Sequence, residues 1–363
     1  MRKESDMNTN RTFIAKKKLL PLVLAICTLF TSISGCRNGN SGKTNEEATT
    51  ETITGNATDT YQSIDINIGC MKGPTGIGII KLLSDSDNKL TANHYNYTIA
   101  GTADVLSTAL VKKELDIAAV PCNLASVLYN KTKGEIVTVA INTLGVLYIV
   151  EAGETVSTVN DLKGKTIYST GQGTTPEYTL RFLLTSAGLD PDKDVDIQFK
   201  SEAPEVLAAL NNNKDSVAML PQPYTTVALN SNEKMRIALD VTKEWEALCN
   251  NNGNANSTVV TGVLVARKSF IEENPAGFAK FMEEYSASTK YANSNIDDTA
   301  ALLEKFDIFK AAIAKKAIPY CNVTFINGNE MKDKAMAYLK VIYEENSAAV
   351  GGSLEEGMFY IEN

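Results

Sequence analysis

Histidine is nearly absent from this 363-residue chain, and His94 is the only one. It stands in a polar stretch ahead of an apolar run, where a solvent-exposed side chain is expected. One imidazole leaves no His/Cys/Asp metal cluster and no nucleophile–base pair for covalent catalysis. The Gly-x-Ser-x-Gly elbow of serine hydrolases does not occur. Cysteine is sparse too. Cys27 and Cys36 lie near the N-terminus, and Cys70, Cys122, Cys249 and Cys321 are too widely spaced for a zinc site. Buried free thiols are expected for these four, with one disulfide of undeducible pairing as the alternative. Basic residues are outnumbered, 35 Lys and Arg against 43 Asp and Glu. An acidic surface argues against nucleic acid as a partner. Neither a metal nor an organic cofactor is expected, and catalysis is not.

The N-terminus carries positive content. Arg11, Lys16, Lys17 and Lys18 form a basic flank, and an apolar run from Leu19 to Ile33 ends in Ile33-Ser34-Gly35-Cys36. Basic, apolar and small residues in that order make a secretory signal. The run is about 15 residues, short of the ~20 that a membrane-spanning helix needs. Its last four residues resemble the lipobox of bacterial lipoproteins, which implies cleavage after residue 35 and acylation of Cys36. The mature chain would carry 29 basic and 41 acidic residues, a net charge of −12. Residues 36–60 are Ser, Thr, Asn, Gly and Glu with little to bury, so a disordered tether is expected. Gly42-Lys43-Thr44 within it is no phosphate loop, because no strand precedes it and Arg37 occupies the place of the first glycine.

The remaining ~300 residues exceed what one hydrophobic core usually serves, so two lobes are expected. From residue 61 to 142, short apolar runs alternate with helical patterns, and the pattern restarts at residue 165. Such alternation predicts βαβ units and a mainly parallel sheet in each lobe. The halves also echo each other at a fixed offset of 100: Ala103, Ala109, Leu110, Ala118, Pro121, Val127 and Asn130 recur as Ala203, Ala209, Leu210, Ala218, Pro221, Val227 and Asn230. This is the mark of a duplicated lobe. The expected division is residues 61–148 plus 258–363 for one lobe and 152–240 for the other. Crossings near residues 145–153 and 255–262 would form a hinge.

In such sheets ligands bind beyond the carboxyl ends of the strands, where helix N-termini present free N–H groups. Four strand-to-helix turns carry suitable side chains, at residues 73–76, 121–123, 171–177 and 221–225. Thr75 and Gly76 come from the first, Asn123 from the second, Thr174, Thr175 and Glu177 from the third, and Gln222 and Tyr224 from the fourth. Thr hydroxyls and backbone amides would hold a small polar group, Asn123 and Gln222 would read polar edges, and Tyr224 would stack on a flat ligand. Thr175-Pro176-Glu177 is equally a good helix start. Tyr148, Trp245 and Cys122 are weaker candidates, with packing the plainer role for each. No Arg or Lys stands inside the four turns and only Lys72 borders them, so a multiply charged anion is not expected.

The lipobox, the tether and the lobe-opening phrase Asp161-Leu162-Lys163-Gly164-Lys165-Thr166 resemble bacterial ABC-transporter substrate-binding lipoproteins. More narrowly, three phrases are similar to the nitrate/sulfonate/taurine and thiamine-pyrimidine branch of these proteins. They are Met71-Lys72-Gly73-Pro74-Thr75-Gly76, Leu115-Asp116-Ile117-Ala118 before Val120-Pro121, and Gly171-Gln172-Gly173-Thr174-Thr175-Pro176-Glu177. The resemblance implies an α/β, two-lobed type II periplasmic-binding-protein clamshell. It also implies a small nitrogen- or sulfur-containing organic solute held in the cleft, and docking on an ABC permease. The chain would be a monomer lipid-anchored on the extracytoplasmic face of the cell membrane. Two alternatives share the fold: the ligand-binding subunit of a sensor, and a pyrimidine-synthase-like enzyme. The enzyme family carries a cysteine-rich run that this chain lacks.

Overall fold

The computed structural model describes residues 61–213, 215–251 and 256–361. The expected signal segment, Cys36 and the tether lie outside the described residues. Among the described residues no helix is long and apolar enough to cross a membrane.

Four strands come first: β1 (Asp65–Met71), β2 (His94–Ala100), β3 (Ile117–Pro121) and β4 (Ile136–Leu144). Five follow: β5 (Leu147–Ala152), β6 (Thr166–Ser169), β7 (Asp196–Phe199), β8 (Val217–Pro221) and β9 (Met235–Asp240). The last two are β10 (Val260–Arg267) and β11 (Val323–Ile326). They form two sheets, ordered β11-β4-β10-β3-β1-β2 and β7-β6-β8-β5-β9. The trios β2-β1-β3 and β7-β6-β8 are parallel and share one order. Between the trios the helices Ala103–Val111 and Ala203–Asn212, and the strands β3 and β8, start 100 residues apart, the offset found in the sequence. β3 is buried throughout and β8 nearly so. This is why both read as continuous apolar runs instead of alternating ones.

The sheets are mixed, where a mainly parallel sheet was expected in each lobe. β10 runs antiparallel to β3 and β4, and β5 runs antiparallel to β8 and β9. The reason lies in the crossings. The chain leaves one sheet at the end of β4 and enters the other as β5, and it returns after residue 251 as β10. Each sheet is thus completed by a strand that arrives from the other lobe. At the first crossing a side chain on Gly145 would overlap the Thr242 hydroxyl, so glycine is required there.

One apolar core runs through both lobes. Leu106 and Ile141 on the side of the first sheet join Ile149, Ile167 and Trp245 on the side of the second, with Tyr338 and Leu339 of the Gly328–Glu345 helix between them. Trp245, a weaker candidate for which packing was the plainer role, is fully buried on the Val241–Asn251 helix, where a loop was expected. It packs in tilted contact against Phe182 at 4.3 Å and Tyr338 at 4.9 Å between ring centroids. Burying a large apolar side chain contributes about 1.5–3 kcal/mol, which makes this aromatic trio a main tie between the lobes. Cys70, Cys122, Cys249 and Cys321 are buried free thiols. Burial pushes the Cys70 thiol up to about 12, so it stays protonated and unreactive. His94 is exposed at the start of β2, beside Asp65.

Candidate functional site

Between the lobes lies a cavity of about 460 Å³. It is built at the carboxyl ends of the parallel strands, where α/β sheets place ligands. Met71 ends β1 and Lys72–Thr75 follow it, Gly101–Asp104 follow β2, and Pro121 ends β3. From the second sheet come Thr170–Gln172 with Thr174 and Pro176 after β6, Phe199–Ala203 at and beyond the end of β7, and Pro221 at the end of β8 with Tyr224 beyond it. Leu147 and Thr261 enter from the crossing strands.

Three helices begin at this cavity: Ala103–Val111, Thr175–Ser186 and Ala203–Asn212. Their N-cap residues Thr102, Thr174 and Glu202 make no side-chain capping bond. Pro176 and Pro204 carry no N–H and Glu205 N turns back to Glu202 O at 3.1 Å, so fewer first-turn N–H groups remain for a ligand, and each helix dipole adds a partial positive charge. Thr75 and Thr261 line the same space, and their Oγ1 atoms are buried without a hydrogen-bond partner. Buried polar atoms are ordinarily paired, and of the unpartnered buried side-chain oxygens, which also include those of Thr138, Asn142, Thr143, Thr289 and Thr299, these two belong to cavity-lining residues. Met71, Leu147, Phe199 and the Tyr224 ring form an apolar wall. Burial, followed by the charge of Glu202, pushes the Tyr224 hydroxyl above its ordinary value, so it remains a donor. The Tyr224 ring also reaches across the cleft and packs edge-on against Phe309 at 5.3 Å.

The charged groups of the wall balance. Lys72 pairs with Asp307 at 3.0 Å, and Lys200 stands over the Tyr168 ring at 5.4 Å. Asp104 and Glu202 are the two acids. The Glu202 carboxylate approaches so closely that a Cβ on Gly101 would sit 2.5 Å from Oε1. Lys200 corrects the sequence reading: it reaches the cavity from the turn after β7, which was not among the four chosen turns.

Of the eight residues selected from sequence, Thr75, Thr174 and Tyr224 line the cavity, although the Thr174 hydroxyl already donates to Gly171 O at 2.7 Å. The other five are held elsewhere. Gly76 packs beneath its own turn, where a Cβ would lie 2.6 Å from the Met71 carbonyl oxygen. Asn123 is fully buried as a strut between segments: Nδ2 donates to Ala349 O at 2.9 Å and to Gly173 O at 3.3 Å, and Oδ1 accepts from the Thr175 hydroxyl at 3.3 Å. Thr175 is spent on that bond. Glu177 accepts from Gly173 N at 2.7 Å and from Arg181 Nε at 2.8 Å, so it fastens the loop ahead of its helix. Gln222 Oε1 accepts from Thr226 N and Oγ1 at 3.2 and 2.8 Å, which caps the Tyr224–Ser231 helix. Each of the five is consumed by a local bond or a tight contact. Tyr148 is half-buried on β5, and neither it nor Cys122 lines the cavity. Sequence reasoning missed Thr261 and the turns 101–104 and 199–203. The turns were findable, since the repeat pairs Ala103 with Ala203 at the start of two helices. Thr261 gave no signal.

Residues 89–309 match the family described as ABC transporter, phosphonate, periplasmic substrate-binding protein. The chain belongs to this family. Its members are binding proteins of transporters, not enzymes. No curated protein sequence matches the chain. Among solved structures, an ABC transporter protein from Parabacteroides distasonis is similar at 25% identity and a TM-score of 0.66, over 82% of this chain and 99% of that one. The periplasmic aliphatic sulphonate binding protein SsuA from Escherichia coli shares 17% identity and a TM-score of 0.65, over 82% and 92%. A Candida albicans protein described as having the generic periplasmic binding protein structural fold shares 14% and 0.54, over 81% and 93%. The two-lobed α/β structure is therefore the periplasmic-binding-protein fold.

Proposed function

We propose that this family member is an extracytoplasmic lipoprotein, anchored through Cys36. It captures a small organic solute with a singly charged oxyanion head, of the sulfonate or phosphonate class, and delivers it to an ABC permease without chemical change. Its two lobes would be residues 61–148 with 258–363 and residues 152–240, acting as a monomer. The observation that carries the reading is the pair of buried, unpartnered hydroxyls of Thr75 and Thr261 beside three uncapped helix N-termini. Hydroxyls and helix N-termini suit an anion. Lys72 is already paired with Asp307, and Asp104 and Glu202 offset what cation remains. A second negative charge on the head would therefore meet no free bidentate partner. The apolar wall of Met71, Leu147, Phe199 and Tyr224 suits a carbon-bearing body better than a bare inorganic ion. The ligand named for the Escherichia coli relative, an aliphatic sulphonate, combines such a head and body.

The test is calorimetry with butane-1-sulfonate, butane-1-phosphonate, taurine, pyrimidines, nitrate and bicarbonate on wild type, Thr75→Val and Thr261→Val. A member of the first three should bind, and each variant should bind it roughly tenfold more weakly, the worth of one good hydrogen bond. Binding of the pyrimidines alone, or equal affinity in both variants, would refute the head-group assignment.

A further inference from the structure

Two β-bulges meet at one point of the first sheet, beside the cavity. Across β4 and β10, Leu144 pairs with Val260 and Thr143 with Gly262, which leaves Thr261 as an extra residue on β10. The next pairs are Thr143 with Gly262 and Ile141 with Val263, which leaves Asn142 as an extra residue on β4. A bulged residue is freed from the ladder and its side chain is re-aimed, and bulges collect next to functional sites. Thr261 turns toward the cavity. Asn142 turns into the protein, where it is 1% exposed.

There the Asn142 amide nitrogen donates to the Thr75 carbonyl oxygen and to the Tyr285 hydroxyl, both at 3.3 Å. A carbonyl can only accept, so the nitrogen must face Thr75, and this fixes which way the amide is turned. Its oxygen Oδ1 then points the other way, buried and without a partner. A Cβ on Gly262 would lie 2.7 Å from that oxygen and 2.5 Å from Thr75 Cγ2. The missing side chain of Gly262 thus makes room for the Asn142–Thr75 pair. A buried half-satisfied amide lowers stability, and an apolar residue would fill the place at less cost. Breaches of local rules of this kind are found at functional sites.

We propose that Asn142 is a positioning residue of the solute site: it holds the Thr75 peptide so that the Thr75 hydroxyl faces the bound head group. The inference deepens the proposed function and rests on it. Asn142 touches no solute and acts only through Thr75. Two amides report on the turn it holds, Gly76 N and Ile77 N, which donate to Gly73 O and Pro74 O at 3.1 Å each.

The experiment has two arms on the full chain. In the first, hydrogen exchange is followed at Gly76 and Ile77 without ligand, in wild type and Asn142→Ala. Exchange should quicken at the turn and not across β1 and β3. In the second, calorimetry with butane-1-sulfonate and butane-1-phosphonate compares Asn142→Ala in the wild-type and Thr75→Val backgrounds. Affinity should fall five- to tenfold in the first background, about one hydrogen bond, and barely change in the second, while the loss of thermal stability persists in both. If Asn142→Ala does not fold, Tyr285→Phe removes only the amide's other anchor and should quicken the same two amides more weakly. Unchanged exchange at the turn overturns the inference whether or not a ligand binds. Equal affinity losses in both backgrounds overturn action through Thr75. If neither probe binds wild type, the sulfonate and phosphonate reading falls, and the exchange arm still decides the role of Asn142.

Discussion

Gly262→Ala adds one methyl group at the point where the cavity floor meets the crossing strand. The added carbon would lie 2.5 Å from Thr75 Cγ2, 2.7 Å from Asn142 Oδ1 and 3.5 Å from Thr143 Cβ. The first two separations fall well inside the 3.5–4.0 Å of a good contact, so the neighbours must yield by about an ångström. Neither can do so freely, because Asn142 is pinned by its two hydrogen bonds and Thr75 by the carbonyl that Asn142 holds. Overpacking of this kind costs about 1–3 kcal/mol. At about 2–4 °C per kcal/mol for a domain of a few hundred residues, the melting temperature should fall by roughly 2–12 °C. Binding should suffer as well, since the shift displaces the Thr75 hydroxyl, and roughly tenfold would be lost with its hydrogen bond. Scanning calorimetry reads the first effect and titration calorimetry with butane-1-sulfonate the second. A Gly262→Ala protein with wild-type melting temperature and affinity would refute the reasoning about the floor.

Asn123→Ala should destabilise the protein by about 1–3 kcal/mol in urea unfolding, because it strands the Ala349 carbonyl and the Thr175 hydroxyl in the interior; a neutral result would mean that the strut bears no load. Glu151 should contribute to acid sensitivity. Burial pushes its carboxyl up, but hydrogen bonds from Thr155 and Val156 and the charge of Arg236 outweigh burial and hold it below the usual carboxylate value. Its stabilisation is therefore present above the unfolded pKa, near 4.3, and lost as pH falls through the lower folded value. Glu151→Gln should flatten that part of the stability-versus-pH curve, and an unaltered curve would contradict the assignment. Cys36→Ser should release the protein from membranes or block its processing, as read by fractionation; a wild-type protein that is wholly soluble and unacylated would reject the anchor.

The two-lobed α/β fold was legible in the sequence because it rests on patterns that local chemistry enforces. Buried strands such as Ile117–Pro121 and Val217–Pro221 read as apolar runs, and helix starts such as Thr175-Pro176-Glu177 carry their own signals. The antiparallel strands β5 and β9 were not read, since β5 lies inside the stretch taken as a plain crossing. The lining of the candidate cavity was legible in part. Turns that follow strands can be named, which brought in Thr75, Thr174 and Tyr224. Asn123, Glu177 and Gln222 have the same residue chemistry in the same turns, and only three-dimensional contacts show that their polar atoms are already used. Thr261 and Asn142 could not be found at all. The roles proposed for them rest on paired bulges, and a bulge is a mismatch of register between strands more than a hundred residues apart.

The most direct measurement of the central claim is a crystal structure of the protein grown with butane-1-sulfonate or butane-1-phosphonate. The account predicts a head group within hydrogen-bond distance of the Thr75 and Thr261 hydroxyls and its carbon chain against Phe199 and Tyr224, between the two lobes. A ligand bound outside that cavity, or one inside it whose head group turns away from both threonines, would contradict it.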